Sequence, residues 1–531
     1  MIESHIKSYC DEKPLDNPNE PIESRNKTKI TLRKNKLNKE IQNKRLQYLE
    51  QTKLDLKTNI NPQYKLKIKT FEESYTQILS YLNSNNIDFI SYALNELRIY
   101  FFKNSPNIIE QKIIINSEFF NILLKLGYIF IKGNFNNSKD FNINRNKDNL
   151  IQILWILINI QVLNEGSGDF LKILYSKEYL DFYNDSLNFG ESEEFFNSIK
   201  WILKSLIYNN IINISLQILR SDFFSKILDY YEKEDKIEIN DNLLTLEIII
   251  YSVNLSGQEQ NLVKKDISII HRCLEILMEK GYCQKDEAII FKIYQGIWYI
   301  TDIDYNYYFH KIILDNFVVK IMSTKFHKFK KISKYIKIVV FATRILANLL
   351  TQSDKNCEII YSLNIIDYYN NLLEKFDYNE EIITNIFVGL SNISVGKNRK
   401  IILNSNIWDN NNLQKYLNLN DEIKKHYIKI IKFLIMNSDF EVLKFIYNTK
   451  ILEYFIIIFN SANTNQMICK KILTIIDRYL KRFKDKEKQS EEFLIIFHKF
   501  YDLFISSDKI NLIECQDIIS EIKKNLNGKY Q

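Results

Sequence analysis

The chain has 531 residues, of which only 11 are glycine and 5 are proline, and its formal net charge is +7. So little glycine and proline disfavours the many tight turns of a β-sandwich or β-barrel, and the Ile-, Leu-, Lys- and Asn-rich composition predicts a mostly α-helical fold. The first 60 residues carry +4 of the net charge, so the nearly neutral remainder gives no strong field for nucleic acid.

Residues 25–45 form a basic segment ahead of the helical region, with nine Lys or Arg residues and one acidic residue. Two clusters stand out in it: Leu-Arg-Lys at 32–34 and, eleven residues later, Asn-Lys-Arg at 43–45. A basic run is most often a solvated tail. The ordered spacing of these clusters is unlike such a tail, and we treat residues 1–60 as one basic, partly disordered segment.

A helical pattern recurs farther along the chain. In each unit a Trp-type position precedes an Asn-type position by four residues, so the two side chains share one helical face. The pairs are Trp155/Asn159, Trp201/Ser205, Ile250/Asn254, Trp298/Asp302, Arg344/Asn348 and Val388/Asn392. Their first members are separated by 46, 49, 48, 46 and 44 residues. Such an interval is typical of armadillo and HEAT repeats, whose units are about 40–47 residues long.

We therefore predict an all-α fold in which residues 65–485 form a right-handed armadillo-repeat solenoid of three-helix repeats. Each unit of such a stack exposes an apolar face that only its neighbours can cover, and the stack forms a long groove. Residues 133–149, which are rich in Asn, are predicted to form an inserted loop. Residues 486–531 are predicted to form C-terminal capping helices.

The basic clusters and the array together resemble the importin-alpha family of nuclear import adaptors. In that family LRK-type and KRR-type clusters form an importin-beta-binding segment ahead of armadillo repeats, and Arg also breaks the Trp pattern in the fifth repeat, as Arg344 does here. The resemblance implies an importin-beta-binding and autoinhibitory role for Arg33, Lys34, Lys44 and Arg45. Without the carrier, Lys44 and Arg45 would fold back into the groove as a cargo mimic.

The resemblance further implies that the groove binds basic nuclear-localisation-signal peptides. Indole rings would pack against lysine stems and attract the ammonium, at roughly 0.5–2 kcal/mol per contact, and asparagine amides would clamp the peptide backbone. The implied groove residues are Trp155, Asn159, Trp201, Asn254, Trp298, Arg344, Asn348 and Asn392. A single helical Trp is more often a core residue; the period and the Asn partner favour the groove here.

Several positions depart from the family pattern. Four members of the six pairs are of other residue types: Ser205, Ile250, Asp302 and Val388. The seventh repeat, expected near residues 427–432, keeps neither member, and Asn209 stands where an Asp would receive the key lysine. These losses keep a second hypothesis open, a repeat scaffold that binds an acidic or apolar protein segment. A negative groove beside Trp155 and Trp201 would favour the adaptor, and a neutral or positive groove the scaffold.

No motif for catalysis, cofactor binding or metal binding occurs in the sequence. The patterns GxxxxGK[ST], GxGxxG and GxSxG are absent, and the six histidines and six cysteines are dispersed without HExxH or CxxC spacing. No stretch approaches the about 18–20 apolar residues of a membrane span. We expect a monomeric, non-enzymatic protein that shuttles between cytoplasm and nucleus, with an importin-beta-type carrier, basic cargo proteins and an export factor as partners.

Overall fold

The computed structural model describes nine stretches of the chain, with short internal gaps. They are residues 66–133, 143–163, 172–189, 197–203, 218–233, 264–303, 308–323, 332–436 and 471–479, together with isolated positions at 249, between 442 and 458, and at 520. Arg33, Lys34, Lys44, Arg45 and Asn254 lie outside the described residues, as do residues 1–60 and nearly all of 486–531. The roles and boundaries assigned to them stay predictions.

Every regular element among the described residues is a helix, so the all-α fold class predicted from the sequence is confirmed. The chain divides into two compact units, Met1–Leu262 and Val263–Gln531. Among the described residues no single helix is long and apolar enough to span a membrane, although the bent helix pair Ile109–Ile115 and Phe119–Lys132 has sufficient length and apolar composition.

Unit 1 contains seven described helices with assigned bounds. They are α1 Phe71–Leu82, α2 Ile87–Lys103, α3 Ile108–Asn116, α4 Phe119–Lys132, α5 Ile143–Leu163, α6 Lys177–Phe189 and α7 Asp222–Lys233. The two long helices α2 and α5 pack on each other, and α4 packs on both α5 and α6. A short helical stretch at 197–203 carries Trp201.

Unit 2 is also built from packed helices. Its described helices with assigned bounds are α8 Lys264–Cys283, α9 Glu287–Ile303, α10 Tyr308–Asn316, α11 Val318–Ser323, α12 Ile332–Leu349, α13 Asp354–Ser362, α14 Ile365–Lys375, α15 Glu380–Val395, two 3-10 helices at Arg399–Asn404 and Asn406–Trp408, α16 Asn410–Leu417 and α17 Asp421–Met436. Residues 471–479 are also helical. Helices α10–α12 and α13–α15 are successive three-helix repeats, in which two short helices precede a long one.

The long helices of unit 2 pack on one another in series. Helix α9 packs on α12, α12 on α15, and α15 on α17; we call these four helices the long-helix row. Short Asx side chains define three of the four starts, because Asp286, Asn379 and Asn420 each accept a hydrogen bond from a first-turn backbone N–H, at 2.8, 3.0 and 2.8 Å. The serial packing is what a stack of repeats requires.

Two glycines inside helices permit close approach between neighbouring helices. A Cβ at Gly389 of α15 would lie 2.3 Å from the hydroxyl of Tyr369, a buried residue of α14. A Cβ at Gly127 of α4 would lie 2.3 Å from the ring of Phe182 on α6. Glycine inside a helix costs about 1 kcal/mol relative to alanine, and the helix-to-aromatic contact explains its presence at both places.

The predicted loop at 133–149 is wrong in its second half. Helix α4 ends at Lys132 and is followed by Gly133, which has a φ of 66° in the left-handed region, but residues 143–149 already form the first turns of α5. The polar composition of residues 143–149 is typical of a loop, but here the polar side chains make the contacts that hold the helix start. Arg145 forms an ion pair with Asp88 of α2, and Asn146 and Asn149 are buried.

Candidate functional site

The long-helix row brings three of the predicted residue pairs together. Trp298 and Asp302 lie on α9, Arg344 and Asn348 on α12, and Val388 and Asn392 on α15. The pairs therefore occupy equivalent places on three helices that pack in series. The 46- and 44-residue intervals in this part of the sequence correspond to real structural repeats.

The asparagines of these pairs form hydrogen bonds between successive long helices. Asn348 donates its Nδ2–H to Thr301 Oγ1 at 3.1 Å, and Asn392 donates to the Ala347 carbonyl at 2.9 Å. In unit 1, Asn159 donates to the Arg98 carbonyl at 3.1 Å, from α5 to α2. In unit 2 each acceptor residue lies on the preceding long helix and immediately precedes the second member of that helix's pair. The amides therefore join repeats, a role that the sequence reasoning missed.

His426 continues this series on α17. Its Nδ1 lies 3.0 Å from Ser391 Oγ, and Ser391 immediately precedes Asn392. The equivalent position in the repeat that ends with α17 is therefore His426, one residue before the range in which the sequence reasoning expected it. Only 34 residues separate Asn392 from His426, because 3-10 turns replace the first helix of this repeat. Burial lowers the pKa of His426, and the neighbouring Lys429 lowers it further.

Trp298 is the half-exposed Trp of the series. Its ring stacks on Phe341 with centroids 5.3 Å apart, and the Arg344 guanidinium carbon lies 4.5 Å from its centroid. Arg344 also forms an ion pair with Glu381 of α15, at 2.5 Å. The ring that the family resemblance assigns to a peptide lysine is thus already in contact with a cation of the chain itself.

Trp155 and Trp201 belong to the apolar interior of unit 1. Their exposed fractions are 6% and 8%, and Asn159 is 1% exposed. Every residue from 150 to 160 is buried, so this part of α5 is enclosed on all sides, as a core helix is. The uninterrupted apolar run around Trp155 was the sequence signal for burial. Peptide binding at Trp155, Asn159 and Trp201 stays a prediction.

Two lysines lie near Phe291, whereas carboxylates accompany Arg344 at the Trp298 position: Glu381 forms an ion pair with it and Asp302 interacts with it electrostatically. Lys292 of α9 and Lys337 of α12 both lie near the Phe291 ring, with Nζ 5.7 and 6.0 Å from its centroid. Toward α17, Lys425 pairs with Glu422 at 2.6 Å, and partial burial lowers the pKa of Lys429. No group of three His, Cys, Asp or Glu side chains among the described residues is arranged to hold a metal ion.

No protein-family profile and no curated protein matches this sequence. Among solved structures, the chain is similar to a designed armadillo repeat protein in complex with the peptide (KR)4, at 14% identity over 48% of this chain and 99% of that chain, with a TM-score of 0.35. It is similar to SYS-1 at 10% identity over 87% of this chain and 93% of that chain, with a TM-score of 0.44. It is also similar to importin beta at 10% identity over 86% of this chain and 52% of that chain, with a TM-score of 0.39. These values assign the chain to no family, and the repeat architecture rests on its own helix packing.

Proposed function

We propose that this chain is a non-enzymatic helical-repeat scaffold that holds an extended segment of another protein along the long-helix row of unit 2. The observation that carries the proposal is the equivalent placement of side chains on successive helices. Trp298, Arg344 and Val388 are half-buried at one position, and Asn348 and Asn392 at the next. A row of this kind offers a regular surface, which suits an extended partner.

The spacing of the row supports an extended partner. Packed helix axes lie about 8–10 Å apart, and an extended chain advances about 3.3 Å per residue. Each long helix therefore corresponds to about three residues of a bound segment. A segment that spans α9 to α17 would meet a new set of equivalent side chains at every repeat.

The nuclear import adaptor is the second candidate. It is supported by the spaced basic clusters of residues 25–45 and by the Trp298 and Asn positions of the row. In this proposal basic cargo occupies the row, an importin-beta-type carrier binds the basic segment, and the protein shuttles between cytoplasm and nucleus. Three observations favour the scaffold instead: Arg344 already contacts the Trp298 ring, the Asn donors bond within the chain, and Lys292 and Lys337 add positive charge.

Peptide-phage selection on the full chain tests the scaffold proposal. The selected peptides are then measured by fluorescence anisotropy against two variants with the same charge change. Val388→Glu alters the row on α15, and Ile359→Glu alters the exposed side of α13. We expect Val388→Glu to weaken binding by about tenfold or more, as for a charge placed in an apolar contact, and Ile359→Glu to leave it unchanged.

Equal binding to both variants would contradict the proposal, provided that circular dichroism finds both folded. Enrichment of Lys- and Arg-rich peptides that depend on Val388 would favour the import adaptor. Enrichment of other compositions with the same dependence would favour the scaffold.

A further inference from the structure

An aromatic strip crosses from α9 to α12 at the start of the long-helix row. The Phe341 ring lies between two others, with its centroid 5.4 Å from that of Phe291 and 5.3 Å from that of Trp298. Phe291 and Trp298 are half-buried, whereas Phe341 is nearly covered. The strip therefore gives the row a continuous apolar floor with two accessible rings.

Two lysines from different helices converge on one end of this strip. Lys292 and Lys337 both place Nζ within 6.0 Å of the Phe291 centroid. Lys337 is exposed, and it forms no hydrogen bond or ion pair with any other residue that the structure describes. An exposed ammonium group such as that of Lys337 favours an added anion electrostatically, and Lys292 places a second positive charge at the same ring.

The opposite end of the strip is neutralised. Arg344 lies over Trp298, and Glu381 of α15 pairs with it. Asp302, four residues after Trp298, also interacts electrostatically with Arg344. The strip therefore has two lysines at Phe291, whereas the positive charge at Trp298 is accompanied by carboxylates. Such a polarity distinguishes partners by charge and gives a bound segment a preferred direction.

We propose that the strip is the docking site for an acidic, leucine-type segment of a partner protein. Carboxylates of the segment lie against Lys292 and Lys337, and its apolar side chains pack on the two accessible rings, Phe291 and Trp298. This inference rests on the proposed scaffold function and names the partner class for it. A lysine-rich segment at the same place would meet the two ammonium groups and be repelled.

The test uses the full chain and two fluorescein-labelled probe peptides of equal length. One repeats the unit Glu-Glu-Leu and the other the unit Lys-Lys-Leu, and both are measured by anisotropy at low and at high salt. We expect the acidic probe to bind more tightly, and the affinity to fall as salt rises. Lys337→Glu and Lys292→Glu each weaken its binding by about tenfold or more, whereas Lys337→Arg retains it.

The control is Lys375→Glu, which makes the same charge change at an exposed lysine in the last turn of α14. It lowers the net charge of the chain equally, so unchanged binding to this variant excludes a general attraction to a basic protein. Equal weakening by Lys375→Glu and Lys337→Glu would overturn the inference, as would tighter binding of the lysine probe.

The outcome separates this inference from the function on which it rests. Phage-selected peptides that depend on Val388 but not on Lys292 or Lys337 would overturn the acidic-segment inference and leave the scaffold in place. If neither the acidic probe nor any selected peptide depends on the row, both proposals fall.

Discussion

The same residue pattern is buried in unit 1 and partly exposed in unit 2. On α5 of unit 1 the pair Trp155/Asn159 is buried, and on α9 and α12 of unit 2 the rings and amides are partly exposed. The hydrogen bond from Asn to the preceding long helix occurs in both units. The Asn of this pattern therefore joins successive long helices in both units, whereas the exposure of its neighbours differs between them.

The largest expected difference is in the stability lost when Trp155 of unit 1 or Trp298 of unit 2 is replaced. Trp155→Ala removes a buried ring and leaves a cavity, which costs about 3–5 kcal/mol of unfolding free energy. Trp298→Ala removes a half-exposed ring and its contact with Arg344, which costs about 1–2 kcal/mol. Urea titration followed by far-UV circular dichroism measures both. Equal losses would break the distinction between a core Trp and a surface Trp.

Two acidic residues sharpen the comparison next. Glu110 of unit 1 is buried, and its carboxylate accepts hydrogen bonds from Phe71 N at 2.7 Å, Tyr100 Oη at 2.6 Å and Asn107 N at 3.0 Å. Glu381 of unit 2 is exposed and pairs with Arg344. We expect Glu110→Ala to cost about 3 kcal/mol or more and Glu381→Ala to cost about 1 kcal/mol or less.

The same urea titrations measure these carboxylate variants. Similar losses in Glu110→Ala and Glu381→Ala would contradict the assignment of Glu110 as the carboxylate that joins α1, α2 and α3.

The amides that join repeats provide a smaller effect. Asn159→Ala removes a buried hydrogen bond between α5 and α2 and costs about 2 kcal/mol. Asn392→Ala removes the half-buried equivalent between α15 and α12 and costs about 1 kcal/mol. Hydrogen exchange of α2 and α12 reports whether the preceding helix loosens. A variant that loses stability without faster exchange in that helix would argue against the joining role.

The smallest effect is the pH dependence at His426. Its folded pKa lies below the unfolded value of about 6.5, so the unfolded state binds more protons as the solution is acidified. Stability is therefore full above about pH 6.5 and is lost as the pH falls through the folded pKa. We expect His426→Asn to lose less stability on acidification than the wild type. An identical pH dependence of the melting temperature in both proteins would contradict this.

The long helices of unit 2 were predicted well from the sequence, because their residue pairs recur at a nearly constant interval of 46 and 44 residues. The sequence reasoning placed Trp298, Arg344 and Val388 at equivalent positions on α9, α12 and α15. It missed His426 because 3-10 turns shorten that repeat, which shifts the position out of the period. The sequence reasoning also missed the first turns of α5, because their polar composition is typical of a loop. Polar contacts, such as the ion pair between Arg145 and Asp88, stabilise this helix start.

The partners of the site residues were harder to predict than their positions. Spacing places Trp298 and Asn348 on a helical face, but it does not reveal that Arg344 covers the indole or that Thr301 accepts the amide. Both contacts join residues 46 or 47 positions apart, so they depend on the packing of α9 against α12. The apolar run around Trp155 did carry its own signal of burial.

The most direct test of this account compares the acidic and the lysine-rich probe peptides on the same full chain, in direct competition at low salt. The account predicts that the acidic probe binds more tightly, and that Lys337→Glu but not Lys375→Glu abolishes its advantage. Tighter binding of the lysine-rich probe, unaffected by Lys337→Glu, would contradict it and make the nuclear import adaptor the leading function.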